Sequence, residues 1–372
     1  MKNLKLGKAC LSITDGTHST VVDDPTGKCY LLSCKNVKSG NIIITENDRK
    51  ISYSTLIQLR QRTKMEFGDV LLTTVGTIGQ TSYIKDINPN YEFQRSVAIL
   101  KPNKDIILSR YLNFYLSSPK GQYSITSRVK GAVQQCLFLN DLKDIDLDIV
   151  NMPEQQHIVN ILGSIDDKIE NNEKKILNIK KLMMNLYEKI SLNKPYVKIG
   201  NFTTEIKERL NSRTSKVYSV INSGELVEQD SYFVRQIHSK DMYKYKVIRK
   251  YDFAYNPSRI NIGSIAMFQH EFGAVSPIYI AFTCDKKFSY YINEFIKTPQ
   301  FNKEICLRAN GSVRQTVSYD SFYEIQIPLP DENDLIRYNN VYFKLQEVVT
   351  ALKSENIKLN ELKQLYLKKF FG

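Results

Sequence analysis

No apolar run in the 372 residues approaches the ~18 that a membrane-spanning helix needs. The N-terminus carries Lys2, Lys5 and Lys8 without an apolar core, so it does not read as a secretory leader. Cysteine is sparse. Cys10, Cys29, Cys34, Cys136, Cys284 and Cys306 include no C-x-x-C pair and read as buried or free thiols in a reducing, cytoplasmic setting. The histidines His18, His157, His238 and His270 pair with no second His or Cys at ligand spacing, so no zinc site is expected. Negative charge is the scarcer sign: 39 Asp and Glu against 52 Lys and Arg leave +13, which favours an anionic partner, most commonly nucleic acid. An apolar fraction of 42% excludes global disorder, and the length allows two or three domains.

Catalytic signatures are missing as well. An adenine methyltransferase needs [DN]-P-P-[FY] to grip the target amino group. The nearest stretch, Asn256, Pro257, Ser258 and Arg259, lacks the second proline and the aromatic, and no F-x-G-x-G loop precedes it. Gly68 to Gly79 has no lysine of the kind a phosphate-binding loop requires. The E-x-K of a metal-dependent nuclease is matched by Glu361 to Lys363, which lies on a helix face where such charges are solvated, and by Glu205 to Lys207, which lacks a carboxylate partner upstream. The chain reads as non-catalytic.

Two long helical patterns organise what is there. From Glu154 to Leu192, Ile158, Leu162, Ile165, Ile169, Ile176, Ile179, Met183, Leu186 and Ile190 alternate spacings of four and three, with Asn172 as the polar member. Asn151, Pro153 and Glu154 open this helix and Asn193 and Pro195 end it. A second seam follows Pro330, with Asp331 and Asp334 as its start signal. It runs through Tyr338, Tyr342 or Val341, Leu345, Val348 or Val349, Leu352, Asn356, Leu359, Leu362, Tyr366 and Phe370. Each helix would be ~55–60 Å long, too long to stand alone, so the two are expected to pack on each other with Asn172 and Asn356 fixing register.

Cutting the chain at these helices gives four segments: 1–153, 154–192, 193–330 and 331–372. Residues 1–153 hold 20 basic and 14 acidic side chains and residues 193–330 hold 19 and 13, so each carries +6 while the helices carry 0 and +1. The two basic segments also read as copies. Leu6 and Gly7 match Ile199 and Gly200. Phe67 to Leu72 matches Tyr251 to Tyr255, with a glycine turn after each (Gly76 to Gly79; Asn261 to Gly263). Gly131 to Gln135 matches Gly311 to Gln315. Period-two strands mixed with short helices such as Ser109 to Leu116 predict α+β domains. The G-x-x-G of Gly76 to Gly79 reads first as a tight turn needing positive φ, whose N–H groups could still face a phosphate.

In order and duplication these motifs resemble the specificity (S) subunit of type I restriction–modification systems over nearly the whole chain. Leu6 and Gly7, Asp15 to His18, Lys35 to Val37 with Gly40, Gly68 to Leu72, Gly76 to Gly79, Gly131 to Gln135 and Pro153 to Gln156 carry the resemblance. The second half departs from it: Tyr251 stands where the first half has Gly68, and G-T-I-G becomes Asn261, Ile262, Gly263. The resemblance implies two target recognition domains, each reading one half of a bipartite double-stranded DNA site. The helices would form an antiparallel coiled coil that spaces the domains and docks two methyltransferase (M) subunits, with restriction (R) subunits joining the full complex. No cofactor would be bound by this chain; S-adenosylmethionine, ATP and Mg would serve the partner subunits.

Base reading calls for Arg, Lys, Asn and Gln amid phosphate contacts. The candidates are Lys35, Asn36, Thr74, Gly76, Gly79, Arg95, Arg128, Lys130, Gln134 and Gln135 in the first segment. In the second they are Arg213, Arg259, Asn261, Ser312, Arg314 and Gln315. A stand-alone bipartite DNA-binding regulator with a coiled-coil spacer is the alternative, and a structural coiled-coil adaptor is disfavoured by the duplicated basic domains.

Overall fold

The computed structural model describes residues 2–38, 40–131, 135–211, 215–221, 224–232, 242–309 and 316–372. It divides into two compact units, Met1–Glu173 with Lys353–Gly372, and Lys174–Leu352. Two forty-residue helices, Met152–Ser191 and Glu332–Phe371, contribute to both units. Each unit therefore holds one globular segment, the opening stretch of one long helix and the closing stretch of the other. The fold is α+β, with the long helices packed on each other.

In unit 1 the central sheet orders strands Cys10–Asp15, Val97–Pro102, Val70–Thr73 and Thr81–Tyr83, all antiparallel. A second sheet pairs Cys29–Leu32 with Lys50–Ile51 antiparallel and with Tyr91–Phe93 parallel. Lys2–Lys5 pairs with Asp146–Ile149, tying the first strand to the last before the helix. Unit 2 repeats the plan. Thr203–Glu205, Ile280–Cys284, Phe253–Tyr255 and Ile265–Met267 take the same order, Val217–Ile221 lies parallel to Phe272–Val275, and Tyr196–Lys198 pairs with Gln326–Pro328. The read duplication is thus a duplication of strand order.

The turn before the central strand is the same device in both units. The Asp69 carboxylate accepts the Glu66 N–H at 2.9 Å and the Asp252 carboxylate accepts the Arg249 N–H at 2.7 Å; both are buried, and burial pushes both carboxyls up. The preceding residue is left-handed in each, Gly68 at φ 90° and Tyr251 at φ 76°. The substitution of Tyr for Gly kept the backbone and left a strained residue, costing of order 1 kcal/mol.

The long helices begin and end as their sequence signals. Asn151 Oδ1 accepts the Glu154 N–H at 3.0 Å, and Asn193 closes the first helix in the left-handed region at φ 56°. Within unit 1 the helices run antiparallel: Asn172 Nδ2 donates to Asn356 Oδ1 at 2.9 Å and to Glu355 Oε2 at 2.7 Å, while Lys363 meets Asp166 at 2.7 Å. Ile158 and Leu162 are buried in the unit 1 core together with Leu367 and Phe371, Ile165 is buried, and Ile169 is half-buried. Within unit 2, Met183 and Tyr187 pack with Leu335, Tyr338 and Tyr342, with Ile179 and Leu345 at the edge. Ile176, Leu352, Asn356, Leu359 and Tyr366 are half-buried. Tyr342 and Val349 take the inward positions, leaving Val341 and Val348 exposed; Leu362 is exposed too, and Lys363 sits inward in its place.

Candidate nucleic-acid interface

The strand at the centre of each main sheet delivers its chain into a glycine turn, and the chain just after the later polar stretch is bonded back beside that turn. In unit 1 Gly76 and Gly79 have φ of 76° and 90°, and Thr73 Oγ1 accepts the Gln80 N–H at 2.9 Å, which closes the turn. Lys130 and Cys136 exchange both backbone hydrogen bonds, and the Leu137 N–H reaches the Thr74 carbonyl at 2.9 Å. In unit 2 the Val317 N–H reaches the Pro257 carbonyl at 3.1 Å, just before the turn Ile260–Ile262 capped by Gly263 at φ 86°. In each copy a backbone bond thus ties the residue just past the later polar stretch, Leu137 or Val317, to the chain entering the glycine turn.

The candidates among the described residues fall into three groups. Arg95, Gln135, Arg259, Asn261 and Gly76 are exposed at or beside these turns, and Arg95 has no ion-pair partner among the described residues. Lys35 and Lys130 are exposed but paired, with Asp48 at 2.9 Å and Asp141 at 2.7 Å. The others serve the scaffold. Asn36 is buried, its amide accepting from the Ser33 N–H and donating to the Ile43 carbonyl, both at 2.9 Å. Arg128 donates to the Ser124 carbonyl at 3.0 Å, and Thr74 and Gly79 are buried. Asn36 and Arg128 thus have structural work that the sequence did not reveal. Gln134, Arg213, Ser312, Arg314 and Gln315 lie outside the described residues.

Beside the unit 1 turns lies a cleft of about 310 Å³ lined by Asp15, His18, Thr74, Val75, Arg95, Cys136, Leu137, Phe138 and Leu139. Gly16 explains its shape. A Cβ there would stand 2.0 Å from the Phe93 carbonyl oxygen, so only glycine lets Asp15 to His18 run against the strand that ends at Phe93. The Thr17 N–H donates to Phe93 and the Arg95 N–H to Thr17, at 2.8 and 3.0 Å, which fixes His18 and Arg95 on one cleft. Asp15 is buried between two partners, Arg62 Nη2 and His18 Nε2, each at 2.6 Å. Asp15 and His18 appear in the sequence motif, yet nothing in the spacing singled them out as members of the interface.

Among the described residues no group of His, Cys, Asp and Glu is arranged to hold a metal ion, and no helix is long and apolar enough to cross a membrane.

The family model of the type I restriction modification DNA specificity domain matches residues 22–181. The type I restriction enzyme EcoBI specificity subunit of Escherichia coli is 32% identical over 169 residues, 45% of this chain and 35% of that protein, so the chain spans about a third of that relative's length. The crystal structure of the type I restriction–modification system S subunit from M. genitalium has a TM-score of 0.59 at 16% identity, covering 100% of this chain and 96% of that one, a likeness of fold. The matched segment, residues 22–181, runs from the first globular part into the long helix, and through it the chain is similar to the type I restriction–modification DNA specificity family.

Proposed function

We propose that this chain is the DNA specificity subunit of a type I restriction–modification complex, with each globular segment reading one half of a bipartite double-stranded site. The observation that carries the reading is the repeated junction: two segments of equal positive charge, each with a glycine turn to which the chain just past its later polar stretch is tied by a backbone bond. Duplicated, basic and loop-bearing surfaces suit a polyanion contacted twice.

In this reading the chain is non-catalytic in itself and works in the cytoplasm. Adenine methylation from S-adenosylmethionine belongs to two methyltransferase subunits, and ATP-driven cleavage with Mg belongs to restriction subunits. The helices supply the docking surface for the methyltransferases and set the gap between half-sites. Exposed Leu177, Leu182, Ile336, Phe343, Ile357 and Leu365 support the docking role, because a helix with no further partner rarely leaves so many apolar side chains in water. Mapping methylated adenines in cells that carry or lack this gene tests the reading. A bipartite motif should be methylated only when the gene is present. Methyl transfer by the purified chain alone would contradict it.

A further inference from the structure

We propose that His18 and Arg95 form a phosphate clamp in the unit 1 cleft, binding one backbone phosphodiester of the DNA strand that the unit reads. The proposal rests on the DNA-recognition reading above and assigns a contact to a residue, His18, outside the sequence candidates.

The charge balance of the cleft selects an anion. Asp15, its one carboxylate, is already matched by Arg62, which donates from Nη2 to Asp15 Oδ1 and from Nη1 to the Gly16 carbonyl. Arg95 is left exposed, without an ion-pair partner among the described residues. The His18 side chain is 55% exposed and anchored through Nε2 alone. Anchoring on Asp15 limits the rotamer entropy that a free surface histidine would lose on binding. Val75, Leu137 and half-exposed Phe138 give the cleft an apolar wall that suits a deoxyribose. A ring that bonds Asp15 through one nitrogen and a phosphate oxygen through the other must carry both ring protons. The charged and titratable groups around the ring are Asp15, Arg62 from helix Tyr53–Thr63, and Arg95 and Cys136 across the cleft.

The test is the salt dependence of binding by the full chain to a fluorescein-labelled duplex of arbitrary sequence, about 40 base pairs long. Each lost phosphate contact lowers the slope of log K against log salt by ~0.9. At about pH 6 the variants H18Q and R95Q should each lose that much slope. K104Q removes one charge from another cleft of unit 1, lined by Phe67, Asp69 and Lys101, and should keep the wild-type slope.

Equal slopes for H18Q, R95Q and wild type at about pH 6 overturn the clamp, and so does a loss of slope in K104Q instead. A phosphate contact carries no sequence information, so a changed methylated motif in R95Q overturns it too. A wild-type chain that binds no duplex overturns the DNA reading itself, and the clamp with it.

Discussion

Gly16 and Asp48 show how single residues hold the surface that faces outward in unit 1. A Cβ at Gly16 would lie 2.0–2.5 Å from backbone atoms of Phe93 and Gln94, and backbone cannot step aside as a side chain can. G16A should destabilise the chain by about 3 kcal/mol, the upper range of overpacking, read as a shift in denaturant midpoint. Asp48 is buried beneath Lys35, and its carboxylate accepts hydrogen bonds from the Thr45 N–H and Oγ1 at 2.7 and 2.9 Å. Burial alone would push this carboxyl up, but the bonds from Asn36, Lys35 and Thr45 outweigh it and hold it well below the usual carboxylate range. A depressed carboxyl stabilises the fold above its unfolded value near 3.9 and loses that contribution as pH falls through the lower folded value. D48N should therefore cost about 1–3 kcal/mol at neutral pH, with the difference from wild type shrinking progressively below about pH 4 in acid-unfolding curves. The two residues were unequally legible in the sequence. Gly16 belonged to a recognised motif, whereas Asp48 lies outside every motif read and is tied to one only through Lys35 and Asn36 in the folded loop. Asn36 was a candidate because its amide type suits adenine; in the fold its neighbours use both ends of that amide.

The long helices were the most legible elements, because their periodicity is local and extends over forty residues. Errors fell where the seam drifts. Leu362 fits a strict alternation, yet Lys363 turns inward to Asp166 and lies 5.7 Å over the Phe114 ring, so a charged residue fills a position that the pattern assigns to leucine. Tyr187 and Gln155, both buried, were missed because each also meets a globular segment, Tyr187 against the Tyr291 ring and Gln155 at the Leu108 N–H, contacts that helix periodicity does not show. A further repeat escaped notice: Ser109, Tyr111, Asn113, Ser118 and Pro119 recur as Ser289, Tyr291, Asn293, Thr298 and Pro299. Ser118 caps its following helix at Gly121 and Thr298 caps its own at Phe301. Asn172 is fully buried, and its Oδ1 has no partner among the described residues. Such a polar seam residue fixes register at a cost in stability. N172L should raise stability by about 1 kcal/mol in thermal unfolding; a lower melting temperature would show that its bonds to Asn356 and Glu355 outweigh the unpartnered oxygen.

At the scale of the whole molecule, composition and duplication pointed to an anionic partner contacted twice, while any individual contact depends on loops that no periodicity describes. The reading assigns the helices a measuring role, and that role has a length. Seven residues added to both helices, near Ile179 and Leu352, lengthen each by ~10 Å, equivalent to about three base pairs, and preserve the heptad register. The methylated site should then keep both half-sites and gain a longer gap, mapped by sequencing of modified adenines. Four inserted residues should instead break the register and abolish methylation. The central claim, that each globular segment reads its own half of the site, is tested most directly by replacing residues ~1–150 with the first segment of a related subunit and mapping the methylated sequence. One half of the motif should change while the other half is kept. A motif that changes in both halves, or in neither, would contradict two independent readers.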